Sequence, residues 1–154
     1  MKLTIELVPS SCFFSNVRSM VSVKIWDALR NECYKLANNK CELCGAVGNG
    51  WSTKSFVECH EVWKYDEVAR VQKLERLIGL CSDCHSVKHW GFAIIKGKEK
   101  QNYKHIVKVN QISFDQAVEI VKEAFETWEK RSKLKWKVDL SYLDNKNIKY
   151  KLDR

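Results

Sequence analysis

The spacing of apolar residues predicts two well-defined helices in this chain. Ser22 can cap a helix that runs to about Asn38, because apolar side chains recur there at three- and four-residue intervals. Ser113 and Gln116 form a capping-box signature that opens a longer amphipathic helix. The predicted buried stripe of that helix consists of Phe114, Ala117, Val118, Val121, Ala124, Phe125 and Trp128. Shorter helices are expected from Ser82 onward and over residues 98–109.

Alternation of apolar and polar positions predicts strands over residues 1–9 and 52–63. Residues 70–80 fit either a helix or a passage from helix to strand. Residues 134–143 fit a closing strand or a loose connection, and the segment after them is expected to fray unless it is bound. The pattern as a whole predicts a mixed α+β protein.

The chain of 154 residues is long enough for one domain with a modest core. We divide it into an N-terminal strand and helix (1–39), a central core (40–96), a helical extension (97–133) and a basic tail (134–154). No apolar run reaches the length of a membrane span, and residues 1–9 lack the unbroken apolar segment of a secretory signal. We therefore expect a cytoplasmic protein in a reducing compartment, with no membrane partner.

The chain is basic, with 27 Lys and Arg against 19 Asp and Glu, a net charge of +8. A positive balance favours a polyanionic partner. Basic residues are concentrated after Glu129, where Lys133, Lys135 and Lys137 alternate with other residues and Trp136 lies among them. This combination suits contact with phosphates and bases, although a solvated cationic edge is an equally good interpretation.

Two Cys-x-x-Cys pairs are the strongest chemical signal in the sequence. Cys41 and Cys44 form the first pair, and Cys81 and Cys84 form the second. Four thiolates are enough to close a tetrahedral structural zinc site, and zinc is a commoner occupant of such a ligand set than iron. A closed site of this kind has no open coordination position, so any catalysis must come from other residues.

Three stretches around these pairs share an order that resembles the HNH endonucleases of the ββα-metal (His-Me finger) type. The stretches are Cys41-Glu42-Leu43-Cys44-Gly45, Glu58-Cys59-His60-Glu61-Val62, and Leu77 to His89 with its Cys81-Ser82-Asp83-Cys84-His85 segment. The resemblance covers residues 40 to 92. It implies a ββα-metal core stapled by the four-cysteine zinc site, with an N-terminal helix before it and a helical extension after it.

The resemblance also implies a site for one divalent cation, such as Mg, Mn, Ni or Zn, beside a general base. His85 matches the final metal ligand, while His60 and Glu61 match the ligand and base positions. A register shifted by one residue would instead place Cys59 at the ligand position and His60 at the base, and we prefer the first register. His89 follows His85 by one helical turn and either completes a set of three histidine ligands or contacts phosphate or water.

The function that the resemblance implies is metal-dependent hydrolysis of phosphodiester bonds, with DNA favoured over RNA. Catalysis would involve His60, Glu61 and His85, and Arg76, Lys88 and the three tail lysines would contact nucleic acid. Glu61 and Arg76 replace the histidine and asparagine that are usual at their positions. The alternative is therefore a catalytically impaired, zinc-stapled module of the same fold that binds nucleic acid or a protein partner.

Overall fold

The computed structural model describes residues 2–12, 16–48 and 56–151. A 3-10 turn at Ser10–Cys12 is followed by elements that we label in chain order. These are α1 (Val17–Met20), α2 (Val23–Leu36), β1 (Glu58–Asp66), β2 (Val71–Leu80), α3 (Ser82–Lys88), α4 (Trp90–Ile95), α5 (Glu99–Asn110), α6 (Phe114–Ser132), β3 (Lys137–Asp139) and α7 (Ser141–Asp144). The mixed α+β class is confirmed.

The centre of the fold is an antiparallel hairpin of β1 and β2, and the short β3 pairs in parallel with β2 to give the order β1-β2-β3. The Asp66 carboxylate accepts the N–H groups of Val68 and Ala69 at 3.0 and 2.8 Å, which closes the hairpin turn. The strand predicted over residues 52–63 begins at Glu58 among the described residues and continues to Asp66. Residues 52–55 of that prediction lie outside the described part.

The ambiguous stretch 70–80 forms a strand and not a helix. Its residues divide between two packed faces: Ile78 and Leu80 join one buried cluster, and Leu74 and Leu77 join the other. A shift in the pairing register opposite Val62 and Trp63 places Leu74 on the same face as Leu77. A strand buried on both faces reads as a nearly continuous apolar run, which explains why periodicity alone could not assign it.

The N-terminal strand prediction is wrong, because residues 2–9 form no ladder with another strand. Their backbone groups find other partners. Asn110 bonds the N–H and the carbonyl of Leu3, each at 2.8 Å, and the Glu6 N–H donates to the Lys88 carbonyl at 3.2 Å. The segment therefore runs beside the end of α3, which brings the Glu6 side chain to the central hairpin.

Both helix caps that the sequence predicts are confirmed. Ser22 accepts from the Ile25 N–H at the start of α2, and Ser113 and Gln116 form a reciprocal capping box at the start of α6. The stripe predicted for α6 is only partly correct, since Ala117 and Val121 are buried whereas Phe114 is 58% exposed. At the first turn of a helix, an apolar residue can lie beyond the edge of the core.

The segment after α6 is ordered through residue 151. Val138 in β3 pairs with Gln72 of β2, and Leu143 in α7 is fully buried. The Lys151 N–H donates to the Met20 carbonyl at 2.8 Å, so the expectation of a frayed end is wrong for the described residues. Residues 152–154 lie outside the described part. Among the described residues, no helix combines the length and the apolarity that a membrane crossing requires.

Candidate metal centres

The four cysteines of the two Cys-x-x-Cys pairs lie together, with all their sulfur atoms within 4.8 Å of one another. Cys44 Sγ and Cys81 Sγ are 3.6 Å apart. Gly45, with φ at 76°, allows the first knuckle to turn back, and its N–H donates to the Cys41 carbonyl at 3.0 Å. The group is compatible with a structural zinc ion.

The two knuckles are held against each other by Glu42 and Gly79. The Gly79 N–H donates to a Glu42 carboxylate oxygen at 2.7 Å, and the Glu42 N–H donates to the Gly79 carbonyl at 3.0 Å. A Cβ at position 79 would lie 2.8 Å from the Ala37 Cβ, so a side chain larger than hydrogen would force α2 away from β2. The glycine thus permits the close approach of these two elements.

The electrostatics of the cluster favour a bound cation. Hydrogen bonds from Cys81 and Cys84 hold the pKa of Cys41 far below its ordinary value. Hydrogen bonds with Cys41 and Cys81 raise the pKa of Cys84, and burial and repulsion between adjacent thiolates raise it further. A divalent cation would stabilise all four thiolates together, as zinc sites do.

His105 contacts the cysteine group, although it lies outside the motifs that the sequence shows. It is half-buried on α5, and its Nε2 lies 3.1 Å from Cys84 Sγ. Burial lowers the pKa of His105, so the ring is neutral and can donate one N–H to the sulfur. Buried Asn102 lies three residues before His105 on α5, so the two side chains share the inner face of this helix.

Three histidines form a second cluster near the end of the hairpin. His60 of β1, His85 of α3 and His89, which follows α3, place one ring nitrogen each within 4.8 Å of the others. His60 Nδ1 and His89 Nε2 are 3.2 Å apart. The prediction that His85 and His89 share a face of α3 needs one correction, because the helix ends at Lys88 and His89 caps it.

Two of these imidazoles have a carboxylate behind them. His60 Nε2 lies 3.1 Å from Glu6 Oε2, and His85 Nδ1 lies 2.5 Å from Glu58 Oε2. Such a carboxylate takes the N–H of one ring nitrogen and leaves the other as a lone-pair donor. The nitrogens left for a cation are therefore Nδ1 of His60 and Nε2 of His85, and the former faces His89.

Glu6 is a site residue that the sequence alone did not reveal. Its carboxylate also accepts from the Lys88 ammonium at 2.6 Å, and Lys88 donates to Thr4 Oγ1 at 2.8 Å. Burial opposes ionisation of Glu6, but the bonds from His60 and Lys88 outweigh it and lower the pKa. The result is an ionised carboxylate held rigidly against the ring of His60.

His85 and His89 are neutral near pH 7, which is the state that binds metals. Burial lowers the pKa of His85, and burial with the proximity of the other two rings lowers the pKa of His89 to about 3. His60 is only 3% exposed, whereas His85 and His89 are half-buried. The accessible side of the cluster is therefore formed by the two later histidines.

Glu61, the predicted base, follows His60 and points to the opposite face of β1, since successive residues of a strand alternate. Its Oε1 accepts the N–H of Val17 at 2.9 Å. Glu61 nevertheless lines the same open cavity as His85 and His89, which has a volume of about 810 Å³. The structure thus brings Glu61 to the site's edge without direct contact to the histidines.

The predicted nucleic-acid contacts differ in their exposure. Lys133, Lys135 and Lys137 are exposed, and Arg76 is paired with Glu42 at 3.0 Å. Lys88 is 3% exposed and bonded to Glu6 and Thr4, so it faces the protein interior in this conformation. In this position the Lys88 ammonium fixes the orientation of the Glu6 carboxylate and is not presented to a phosphate.

The fold and the two clusters define a mixed α+β protein with a four-cysteine group that could hold a metal ion. A search with protein-family models, a search of curated proteins and a search of solved structures each returned no match. The functional argument therefore depends on the residues themselves.

Proposed function

We propose that this protein is a metal-dependent nuclease of the HNH type that hydrolyses phosphodiester bonds, with DNA as the preferred substrate. The observation that carries the proposal is the cluster of His60, His85 and His89, in which two rings are oriented by carboxylates beside an open cavity. The chain order of β1, β2 and α3, with Cys81 and Cys84 at the start of α3, also supports the proposal, because the resemblance implies this order.

The three imidazoles fit a divalent cation by their donor type. Nitrogen ligands suit zinc or nickel better than magnesium, which prefers oxygen. Three protein ligands leave coordination positions open for substrate and water, unlike the closed four-thiolate group. We therefore expect nickel or zinc to support activity better than magnesium.

The cation and the carboxylates around the histidine cluster have separate tasks in this mechanism. A bound cation would polarise the scissile phosphate and stabilise the leaving oxygen. Glu6 and Glu58 orient His60 and His85, and the buried position of His60 keeps its ring in place. Glu61 would accept the proton of the attacking water at the carboxylate oxygen that Val17 does not occupy.

A binding module without cleavage is the second candidate, and the position of Glu61 favours it. The Glu61 carboxylate is bonded to the backbone of α1, so a structural role accounts for it without any proton transfer. In that case the basic surface would bind nucleic acid or a protein partner, and the histidine cluster would serve only stability.

The test is incubation of supercoiled plasmid with purified protein and Mg, Mn, Ni or Zn, alongside His60→Ala, His85→Ala and Glu61→Gln. Nicking by the parent protein that falls at least 100-fold in both histidine variants supports the nuclease. Zinc content and circular dichroism of each variant control for folding. If no metal supports nicking, while all proteins retard the plasmid equally, the binding module is the correct function.

The exposed tail lysines allow a separate test of the partner. Replacing Lys133, Lys135 and Lys137 with alanine should reduce the salt dependence of DNA binding by about two to three phosphate contacts. The matched control replaces Lys98, Lys100 and Lys104, which are equally exposed on another part of the surface. An equal reduction of the salt dependence in the two triple variants would mean that the tail lysines make no specific contact with DNA.

A further inference from the structure

A buried glutamine, Gln72 of β2, lacks the hydrogen bonds that its environment requires. The residue has no exposed surface, and within the described part of the chain neither its Oε1 nor its Nε2 has a partner. An unpaired buried amide is costly, and proteins rarely tolerate one without a reason. Gln72 lines the same cavity as His85 and His89. A ligand that enters that cavity, with a small shift of the wall that now covers the amide, would supply the missing partners.

The cavity around this amide is mainly aromatic and apolar. Its volume of about 810 Å³ lies in the range of small-ligand sites. Trp63, Phe92, Phe125 and Trp128 contribute to the wall. The titratable groups that line it are Glu6, Glu61, His85 and His89, and the described lining includes no lysine or arginine. An anionic group is therefore disfavoured in this part of the site, whereas a flat, uncharged group is favoured.

We propose that the cavity binds one unpaired nucleobase of the nucleic acid substrate, and that Gln72 is the residue that determines which base is preferred. This inference rests on the proposed nuclease function and names the form of its substrate, a strand with a base free to leave the stack. The scissile phosphate would lie at the histidine cluster, outside the aromatic part.

The chemistry of the lining matches a nucleobase in two respects. Aromatic side chains provide faces and edges on which a base can stack. A glutamine amide presents a donor and an acceptor side by side, which pair with adjacent acceptor and donor atoms on the edge of a base. Adenine offers such a pair at N6 and N7, so it should bind best.

The register of the hairpin gives the distance between the histidine cluster and Gln72. Gln72 pairs with Tyr65, five residues along β1 from His60. At about 3.3 Å per residue, the two backbone positions are separated by roughly 16 Å. The recognised base would therefore belong to a nucleotide next to the cleaved bond or one further along, and not to a distant part of the strand.

The experiment measures binding of fluorescein-labelled single-stranded 12-mers by anisotropy, without added Mg, Mn or Ni, with electrophoresis to verify that the strands stay intact. Five strands differ at one central position, which carries A, C, G, T or an abasic residue in a thymine background. The adenine strand should bind at least five-fold more tightly than the abasic strand. In Gln72→Leu this preference should fall to less than two-fold.

Two controls separate recognition from a structural role of Gln72. Gln72→Leu should unfold at the same temperature as the parent protein or a higher one, because it removes an unpaired buried amide. Gln101→Leu, at an exposed glutamine on α5, should keep the base preference. A preference for any base that disappears in Gln72→Leu alone supports the proposal.

Equal binding of all five strands by the parent protein, or an unchanged preference in Gln72→Leu, would overturn it. These results are distinguishable from failure of the nuclease proposal. Plasmid nicking that depends on His60 and His85 but shows no role of Gln72 refutes only the base site. A Gln72-dependent base preference in a protein that never nicks DNA refutes only the cleavage.

Discussion

The two clusters at the end of the central hairpin use the same elements for different chemistry. The cysteine group takes ligands from both knuckles and offers four thiolates that a single ion can saturate. The histidine group takes its members from β1 and the end of α3, and two of them, His85 and His89, line an open cavity. An ion held by the four thiolates would have no open coordination position, whereas an ion held by the histidines would be accessible from the cavity.

The difference extends to the residues behind each cluster. The thiolates are supported mainly by backbone turns and one imidazole, His105. The imidazoles of His60 and His85 are supported by the carboxylates of Glu6 and Glu58, which fix which nitrogen is free. Sequence spacing reveals the first kind of support, whereas the second depends on residues distant in the chain.

Loss of a cysteine ligand should have the largest effect. In Cys81→Ser the four-thiolate group cannot close, and bound zinc should fall from about one ion per chain to a small fraction of that. Because this site joins the end of α2 to the start of α3, unfolding should become several kcal/mol easier. Metal analysis and chemical denaturation measure the two results. The control is Cys12→Ser, at a buried cysteine outside the cluster. Equal zinc in both variants would contradict the four-cysteine site.

Removing the charge of Glu6 should weaken the histidine site without affecting zinc at the cysteines. In Glu6→Gln the ring of His60 loses its anionic partner, and affinity for nickel should fall about 10- to 100-fold. Nickel titration by calorimetry, on protein that retains its tightly held zinc, measures the change. Glu67→Gln is the matched control, because Glu67 is paired with Arg131 away from the histidines. Unchanged nickel affinity in Glu6→Gln would mean that His60 is not a ligand.

The organisation of the cysteine group could be predicted from sequence because it depends on local spacing. The two residues between the cysteines of each pair, a glycine after the first pair and a helix that starts within the second pair fix the turns locally. The caps of α2 and α6 are local in the same way, and both were predicted correctly.

The remainder of the site depends on tertiary packing that no local pattern encodes. Glu6 lies in a segment that alternates like a strand, but it runs against α3 and delivers a carboxylate to His60. Gln72 is one polar residue in an ambiguous stretch, and only the completed fold shows that it is buried without a partner. His60 and His85 could be grouped in advance because the resemblance matched both, whereas for His89 a ligand role and a contact with phosphate or water both stayed open.

Acid should destabilise the histidine cluster through His89. Its pKa is lowered to about 3 in the folded protein, mainly by burial, against 6.5 for an ordinary histidine. The unfolded chain thus binds more protons between pH 6.5 and 3, so stability falls as pH decreases through that window, by up to about 1.4 kcal/mol per pH unit. In His89→Asn the slope of unfolding free energy between pH 6 and 5 should decrease by that amount. An identical slope in the parent and the variant would mean that His89 is not held neutral by the fold.

The smallest effect should come from His105, and it tests whether the cysteine group also depends on a tertiary contact. A neutral imidazole 3.1 Å from Cys84 Sγ donates one hydrogen bond to a sulfur that the cation already stabilises. His105→Ala should therefore retain about one zinc per chain but release it a few-fold faster to a chelator, in line with a net contribution of about 1 kcal/mol. Release can be followed with a colorimetric zinc indicator. His105→Gln, which keeps an N–H donor, should restore most of the parent rate. Loss of zinc from His105→Ala at equilibrium would instead make this histidine a ligand, and the two clusters would then share imidazole chemistry.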